Sequence, residues 1–276
     1  MNVFQAALLG IVQGLAEFLP VSSSGHIQLL EQLFQIRIEE SAMMLVTVLL
    51  HVGTLAVVVI VFWQDWLEML KALLVKSRQF WLLVLASVPA LVVKVLLGDV
   101  FDRLNGGGLL GVFFLVTAVM MWLVERISGG RHRAQGGEVG VRQALVMGCF
   151  QALGMMTGVS RSGSTTLGGV SSGLSRQKAI KFCFMMSAPA ILGSLLVEGK
   201  DAAEAGAFAA IGSMTLPILV GMVCAFLVGM VTVRFMLRMI NKISYNVFAV
   251  YMAVIGVATI VMQLIGVGGL KPLGIG

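Results

Sequence analysis

Six stretches of the chain are apolar for long enough to cross a bilayer, near residues 41–63, 79–97, 109–125, 180–198, 214–235 and 246–265. A span needs about 20 mostly apolar residues, so each predicts a transmembrane helix. Two further apolar regions, near 3–36 and 141–178, break off early. Each reads as a short apolar helix, a polar Gly/Ser tip and a second short helix. The tips contain "AEFLPVSSSGH" from Ala16 and "TGVSRSGSTT" from Thr157. Irregular backbone at membrane depth survives only where protein or a water-filled cavity surrounds it. The pattern therefore predicts an all-α integral membrane protein with six transmembrane helices and two re-entrant helix–turn–helix hairpins.

The two interrupted regions also match each other. With Val3 laid over Val141 and no gaps, Gln5 meets Gln143, Gly10 meets Gly148 and Gln13 meets Gln151. "VSSSGH" from Val21 then lies over "VSRSGS" from Val159, and ten of 24 positions are identical. This is an internal duplication. A fainter echo links "SVPALV" from Ser87 with "SAPAIL" from Ser187 at another offset. Three spans separate the hairpins. Three is odd, so the second hairpin enters from the opposite face. The expected architecture is an inverted-topology repeat within a single membrane domain over 1–276, repeat one about 1–127 and repeat two about 141–265. In such folds the tips meet near the bilayer midplane.

Composition agrees with a membrane protein and charge orients it. The chain is 58% hydrophobic and 12% charged, with a net charge of +6. Soluble domains carry about twice that share of charge. The basic residues sit in short loops and form no nucleic-acid-binding module, so no nucleic acid is expected as a partner. Thirteen Lys and Arg fall on one side of the predicted spans, from Lys71 to Lys242, against five on the other, Arg37, Lys94, Arg103, Lys200 and Lys271. The richer side is expected to be cytoplasmic, which puts both termini outside. The N-terminus carries no basic stretch or small-residue cleavage site, so no cleavable signal peptide is expected. Cys149, Cys183 and Cys224 lie in apolar runs without paired spacing and are read as packing residues. His132 falls in the flexible basic linker and is read as solvated. Asp99 and Asp102, at the outer end of a span, are read as a solvated cap.

Ionisable groups within a membrane are costly and mark function. In the second tip, hydroxyls and backbone N–H groups converge at a helix start, a ready anion site, and Arg161 adds a charged planar fork suited to phosphate oxygens. Ser160, Arg161, Ser162, Gly163 and Thr165 form a candidate phosphate cradle. In the first tip, Glu17 follows Gln13 by four residues and shares its helix face. The two could hold a divalent cation through oxygens. Alternatively Glu17 pairs with Arg161. Ser22, Ser23 and Ser24 stand beside His26, which leaves two candidate nucleophiles, Ser23 and His26. His51, in the next span, either lines the cavity or bonds a neighbouring helix, and the structural role is favoured.

"QGLAEFLPVSSSGH" from Gln13 and "TGVSRSGSTT" from Thr157 resemble the two signature regions of the bacitracin-resistance type undecaprenyl pyrophosphate phosphatases. Gln13 and Glu17 fit the family's first motif, Glu or Gln, three residues, then Glu. Gly158, Ser160, Arg161, Ser162 and Thr165 fit its Pro-Gly-x-Ser-Arg-Ser-x-x-Thr pattern, with Thr157 in place of the proline. Similarity continues through "FWQDW", "SVPALV" and "INKISYNVFAVY".

The resemblance implies a bacterial plasma-membrane enzyme that removes the terminal phosphate of undecaprenyl pyrophosphate. Its active site would open outward, assisted by a divalent cation, Mg or Ca. It implies membrane lipids and the lipid substrate as partners, and is compatible with a homodimer. "SSSGH" and "VSRSG" also look like parts of the type 2 phosphatidic acid phosphatases. That class needs a second His after its Ser-Arg element, and no histidine follows Arg161. The alternative of another class is a polyprenyl-phosphate flippase, because inverted repeats serve alternating access.

Overall fold

The computed structural model describes residues 1–36, 38–73, 77–129, 137–204, 212 and 214–274. Among these, eleven α-helices and no strand occur. They are α1 (Val3–Phe18), α2 (Ser23–Leu33), α3 (Glu40–Val61), α4 (Trp63–Leu73), α5 (Arg78–Leu104), α6 (Leu110–Ser128), α7 (Val141–Leu153), α8 (Arg161–Ser171), α9 (Arg176–Glu204), α10 (Thr215–Met239) and α11 (Asn246–Ile265). Six are long and apolar enough to cross a membrane: α3, α5, α6, α9, α10 and α11. They fall on the six predicted stretches, and the protein is a multi-pass membrane protein. Large side chains such as Leu91, Val95, Leu196, Val231 and Val254 are exposed, as lipid-facing residues are. The short amphipathic α4 is an addition that the search for apolar runs misses, since Asp65, Glu68 and Lys71 interrupt it.

The two interrupted regions form the helix–turn–helix units α1–α2 and α7–α8. Alpha-helices rise about 1.5 Å per residue, so none of these four reaches across a hydrocarbon core of about 30 Å. The units keep the same frame. Helices α1 and α7 start at aligned positions, Val3 and Val141, and α2 and α8 at Ser23 and Arg161. Gln5 and Gln143 each reach back to the N–H three residues before them, Asn2 and Gly140. Ser22 and Ser160 each cap the next helix through Oγ, accepting from Gly25 N at 3.3 Å and Gly163 N at 3.1 Å. An N-cap oxygen satisfies an otherwise orphaned N–H and is worth about 1 kcal/mol.

The "SVPALV"/"SAPAIL" echo is different. Pro89 lies in α5, the second long helix after its hairpin, and Pro189 in α9, the first after its own. The echo does not join elements of equal rank. It marks a local habit: Ser87 and Ser187 return their hydroxyls to Leu83 O and Phe184 O near an internal proline.

Helix α1 packs mainly on α10, α7 on α5, and α6 on α11. Glycines permit the first of these contacts. A Cβ at Gly10 would stand 2.1 Å from Gly221 O, and one at Gly14 2.7 Å from Ala225 O. Ion pairs gather the basic loop ends on one face: Lys181 with Asp65 at 2.6 Å, Arg176 with Glu125 at 3.0 Å, and Lys178 with Glu138 at 2.6 Å. The Lys178 hydrogen bond and charge hold the exposed Glu138 carboxyl below its ordinary range. Arg37, His132 and three of the thirteen basic residues counted between Lys71 and Lys242, namely Lys76, Arg131 and Arg133, lie outside the described residues.

Candidate active site

Glu17 ties the two tips together. It lies in the last turn of α1 and is buried. Its Oε1 accepts from the Arg161 guanidinium. Its Oε2 accepts from Ser23 Oγ at 2.8 Å and from Gln13 Nε2 at 3.1 Å. Ser23 and Arg161 are the first residues of α2 and α8 and occupy aligned positions of the duplication. One carboxylate therefore receives a hydroxyl from one tip and a guanidinium from the other. The Arg161 side chain is 23% exposed against 3% for Glu17, so the cation keeps an open side toward an incoming anion.

Helix α3 supplies a third wall. His51 Nε2 stands 3.5 Å from Glu17 Oε2, and its Nδ1 is 2.7 Å from Thr47 O. Thr54 Oγ1 lies 3.5 Å from Gln13 Nε2 and donates to His51 O at 2.9 Å. His51 thus stands beside Glu17 of a neighbouring helix, so the two roles that the sequence offered for it, lining the cavity and contacting another helix, coincide. A single histidine in an apolar run gives no sign of which neighbour it will meet.

The tips meet closely. A Cβ at Gly25 would stand 2.8 Å from Gly158 Cα, and Ser162 Oγ donates to Leu19 O at 3.1 Å. The second tip is anchored by residues outside the motifs. Thr117 Oγ1 in α6 donates to Gly158 O and accepts from Ser160 N, both at 2.9 Å. Asn105, just after α5, donates through Nδ2 to Met155 O at 3.2 Å and accepts at Oδ1 from Thr157 N at 2.7 Å. Its own carbonyl accepts from Gln28 Nε2 of α2 at 3.0 Å. A proline at 157 has no N–H to give. Thr157, which departs from the motif pattern, uses the N–H that the substitution provides.

The remaining candidates fall into two groups. Ser160 Oγ and Ser162 Oγ are 3.2 Å apart beside Arg161. Gly163 packs under Met121, whose Cε a Cβ would meet at 2.7 Å. Thr165 is turned inward: its hydroxyl donates to Arg161 O at 2.8 Å and lies 2.9 Å from Cys183 Sγ. His26 takes no hydrogen bond from Glu17, Ser23 or Arg161 among the described residues. Its Nδ1 lies 2.8 Å from Ser22 O and its Nε2 2.8 Å from the Tyr251 hydroxyl. Ser22 itself holds a left-handed backbone, φ +68°, without being glycine.

A carboxylate-bound serine beside an open guanidinium suits attack on a phosphorus whose oxygens the arginine holds. The family profile for "Bacitracin resistance protein BacA" matches residues 6–258 of this chain. The chain belongs to that family. It is 37% identical to an undecaprenyl-diphosphatase of Carboxydothermus hydrogenoformans, over 96% of this chain and 99% of the relative. It is 34% identical to one of Alkaliphilus metalliredigens, over 96% and 100%, and 32% identical to one of Methanosphaera stadtmanae, over 96% and 99%. The family match takes in the helix–turn–helix units α1–α2, from Ala6 on, and α7–α8, five of the long helices and α11 as far as Ala258. Membership in the BacA family therefore rests on the whole architecture and not on the two tips alone.

Proposed function

We propose that this protein hydrolyses undecaprenyl pyrophosphate to undecaprenyl phosphate and inorganic phosphate. It thereby recycles the lipid carrier of peptidoglycan synthesis and confers bacitracin resistance. The observation that carries the reading is the Ser23–Glu17–Arg161 arrangement, in a chain aligned almost end to end with undecaprenyl-diphosphatases.

The geometry favours Ser23 over His26 as nucleophile, because Ser23 already donates to a carboxylate. Arg161 turns its fork from Glu17 to the terminal phosphate, with Ser160 and Ser162 beside it. Ser23 Oγ bonds to the terminal phosphorus as Glu17 takes its proton. The bridging P–O bond breaks, and undecaprenyl phosphate leaves with that oxygen. Water then bonds to the same phosphorus and gives a proton to His26, which lies one helical turn after Ser23 on the same face. The P–O bond to Ser23 breaks, Oγ recovers the proton from Glu17, inorganic phosphate departs, and His26 returns its proton to solvent water. Proton transfer by positioned groups of this kind contributes about 10²–10⁴-fold.

Gln13 and Glu17 fit a divalent cation, Mg or Ca. Gln13 Oε1 is buried and has no hydrogen-bond partner among the described residues. Those residues contain no group of three or more His, Cys, Asp or Glu able to hold a metal. That fits an ion whose other ligands are substrate phosphates and water, as Mg often is. When bound, the cation would neutralise charge on the pyrophosphate.

The two helix–turn–helix units are read as re-entrant hairpins of an inverted repeat, about 1–127 and 141–265. Two features support this: the shared capping frame, and packing that swaps between halves, α1 on α10 and α7 on α5. The basic face is assigned to the cytoplasm, with both termini outside and the site opening outward. The test is phosphate release from undecaprenyl pyrophosphate by the detergent-purified chain, where no membrane sidedness exists. Release dependent on Ser23 is expected. No release with Mg present leaves the flippase.

A further inference from the structure

His26 is held at both edges, and one of the holders comes from the far end of the chain. A carbonyl oxygen only accepts, so the contact with Ser22 O places the proton on Nδ1. The lone pair is then on Nε2, and the Tyr251 hydroxyl donates to it at 2.8 Å. The two rings are nearly parallel, 6° between planes and 5.7 Å between centroids. Phe114 lies against the imidazole as well, at 5.2 Å. Tyr251 projects from α11, where the other large exposed side chains, such as Val247, Val250, Val254 and Val257, are aliphatic. A tyrosine near a membrane surface ordinarily turns its hydroxyl to headgroups and water. This one spends it on a buried histidine.

We propose that Tyr251 is a positioning residue that holds the His26 imidazole in the resting enzyme with Nε2 as its basic nitrogen, until the hydrolytic water takes the place of the Tyr251 hydroxyl at Nε2. The proposal rests on the reading of His26 as the base for the hydrolytic water. A half-turn of the ring about Cβ–Cγ would take both nitrogens off both partners, so two contacts at opposite edges select one orientation and one tautomer. The first holder, Ser22 O, belongs to the residue with the left-handed backbone, so its carbonyl direction is itself fixed by the tip. The second holder couples the tip to α11, and hence to the α6–α11 pair on which the second tip also leans through Thr117.

Tyr251→Phe keeps the ring and removes only the hydroxyl. The expected result in the full-length, detergent-purified protein is a kcat about tenfold lower, with KM for undecaprenyl pyrophosphate and the thermal midpoint unchanged. The ¹⁵N spectrum of His26 should pass from a single Nδ1–H tautomer to a mixture. An unchanged kcat with an unchanged His26 spectrum overturns the clamp. So does a lowered midpoint with kcat and KM both impaired and the tautomer intact, which is a packing role. His26→Ala separates this proposal from the reading beneath it. If His26→Ala is inactive while Tyr251→Phe is normal, the clamp alone fails. If His26→Ala is fully active, the role of His26 fails and the clamp with it. In the His26→Ala background, Tyr251→Phe should cost nothing further.

Discussion

The two tips start from one sequence frame and reach it by different backbones. In the second tip the left-handed residue is Gly158, with φ +108°. Glycine occupies that region without a steric penalty. The aligned residue of the first tip is Pro20, whose ring fixes φ near −65°. The left-handed position therefore moves two residues on, to Ser22 at φ +68°, while its counterpart Ser160 stays extended at φ −71°. A residue with a Cβ loses about 1–2 kcal/mol there. Both serines still cap their helices, and both helices begin one residue later. Both tips keep the serine cap, and the first helical residue differs, a hydroxyl in one tip and a guanidinium in the other. The strained tip is the one that carries the candidate nucleophile and His26, where stored strain is commonly found.

The strongest test of that contrast uses the aligned pair. Ser23→Ala should lower phosphate release by about 10⁴-fold or more and leave the thermal midpoint nearly unchanged, since a small hydroxyl is lost. Arg161→Ala should lose activity as severely and also destabilise by about 3–5 kcal/mol, because the buried Glu17 carboxylate keeps no guanidinium. Denaturation in detergent distinguishes them. Equal stability of the two variants would mean that the tips are not divided into a chemical and an electrostatic half.

The backbone contrast is tested next. Gly158→Ala puts a Cβ 2.8 Å from Phe113 Cβ at a left-handed position, and should cost about 2–4 kcal/mol. Ser22→Gly should be neutral or stabilise by up to about 1 kcal/mol, since strain relief outweighs a cap loss of a few tenths, yet activity should fall. A destabilised Ser22→Gly would show that the left-handed serine is not strained. The smallest effect on activity is expected at Asn105. Asn105→Ala removes two bonds to the second tip and should cost about 2 kcal/mol and lower kcat without touching the first tip. Thermal melts and steady-state kinetics check it, and a change confined to KM would argue against a role in placing Arg161.

Much of this was readable along the chain. The six spans follow from length and apolar content, and the two pairs of short helices from two failures of that pattern. Glu17, His26 and Arg161 stand out in the sequence because ionisable groups at membrane depth are costly, with Ser23 as the other candidate nucleophile. Asn105 does not, because an asparagine after a helix reads as an ordinary cap, and nothing local says that its side chain will reach the loop at Met155 and Thr157. Tyr251 left one faint signal. It is one of only two tyrosines in the chain. Its partner is 225 residues away, and no periodicity connects them.

What is repetitive or local is legible along the chain: which segments are apolar enough to span, which two stretches match each other, and which residue types the tips present. Those properties depend on neighbours within a turn or two, so they survive in a linear reading. Only the tertiary structure decided that Ser23 and Arg161 converge on one carboxylate, that His51 joins them, and that His26 faces Tyr251. Those contacts depend on how α3, α8 and α11 pack against the first hairpin. Packing between apolar helices is set by the fit of small and large side chains across the whole bundle, which no single stretch contains.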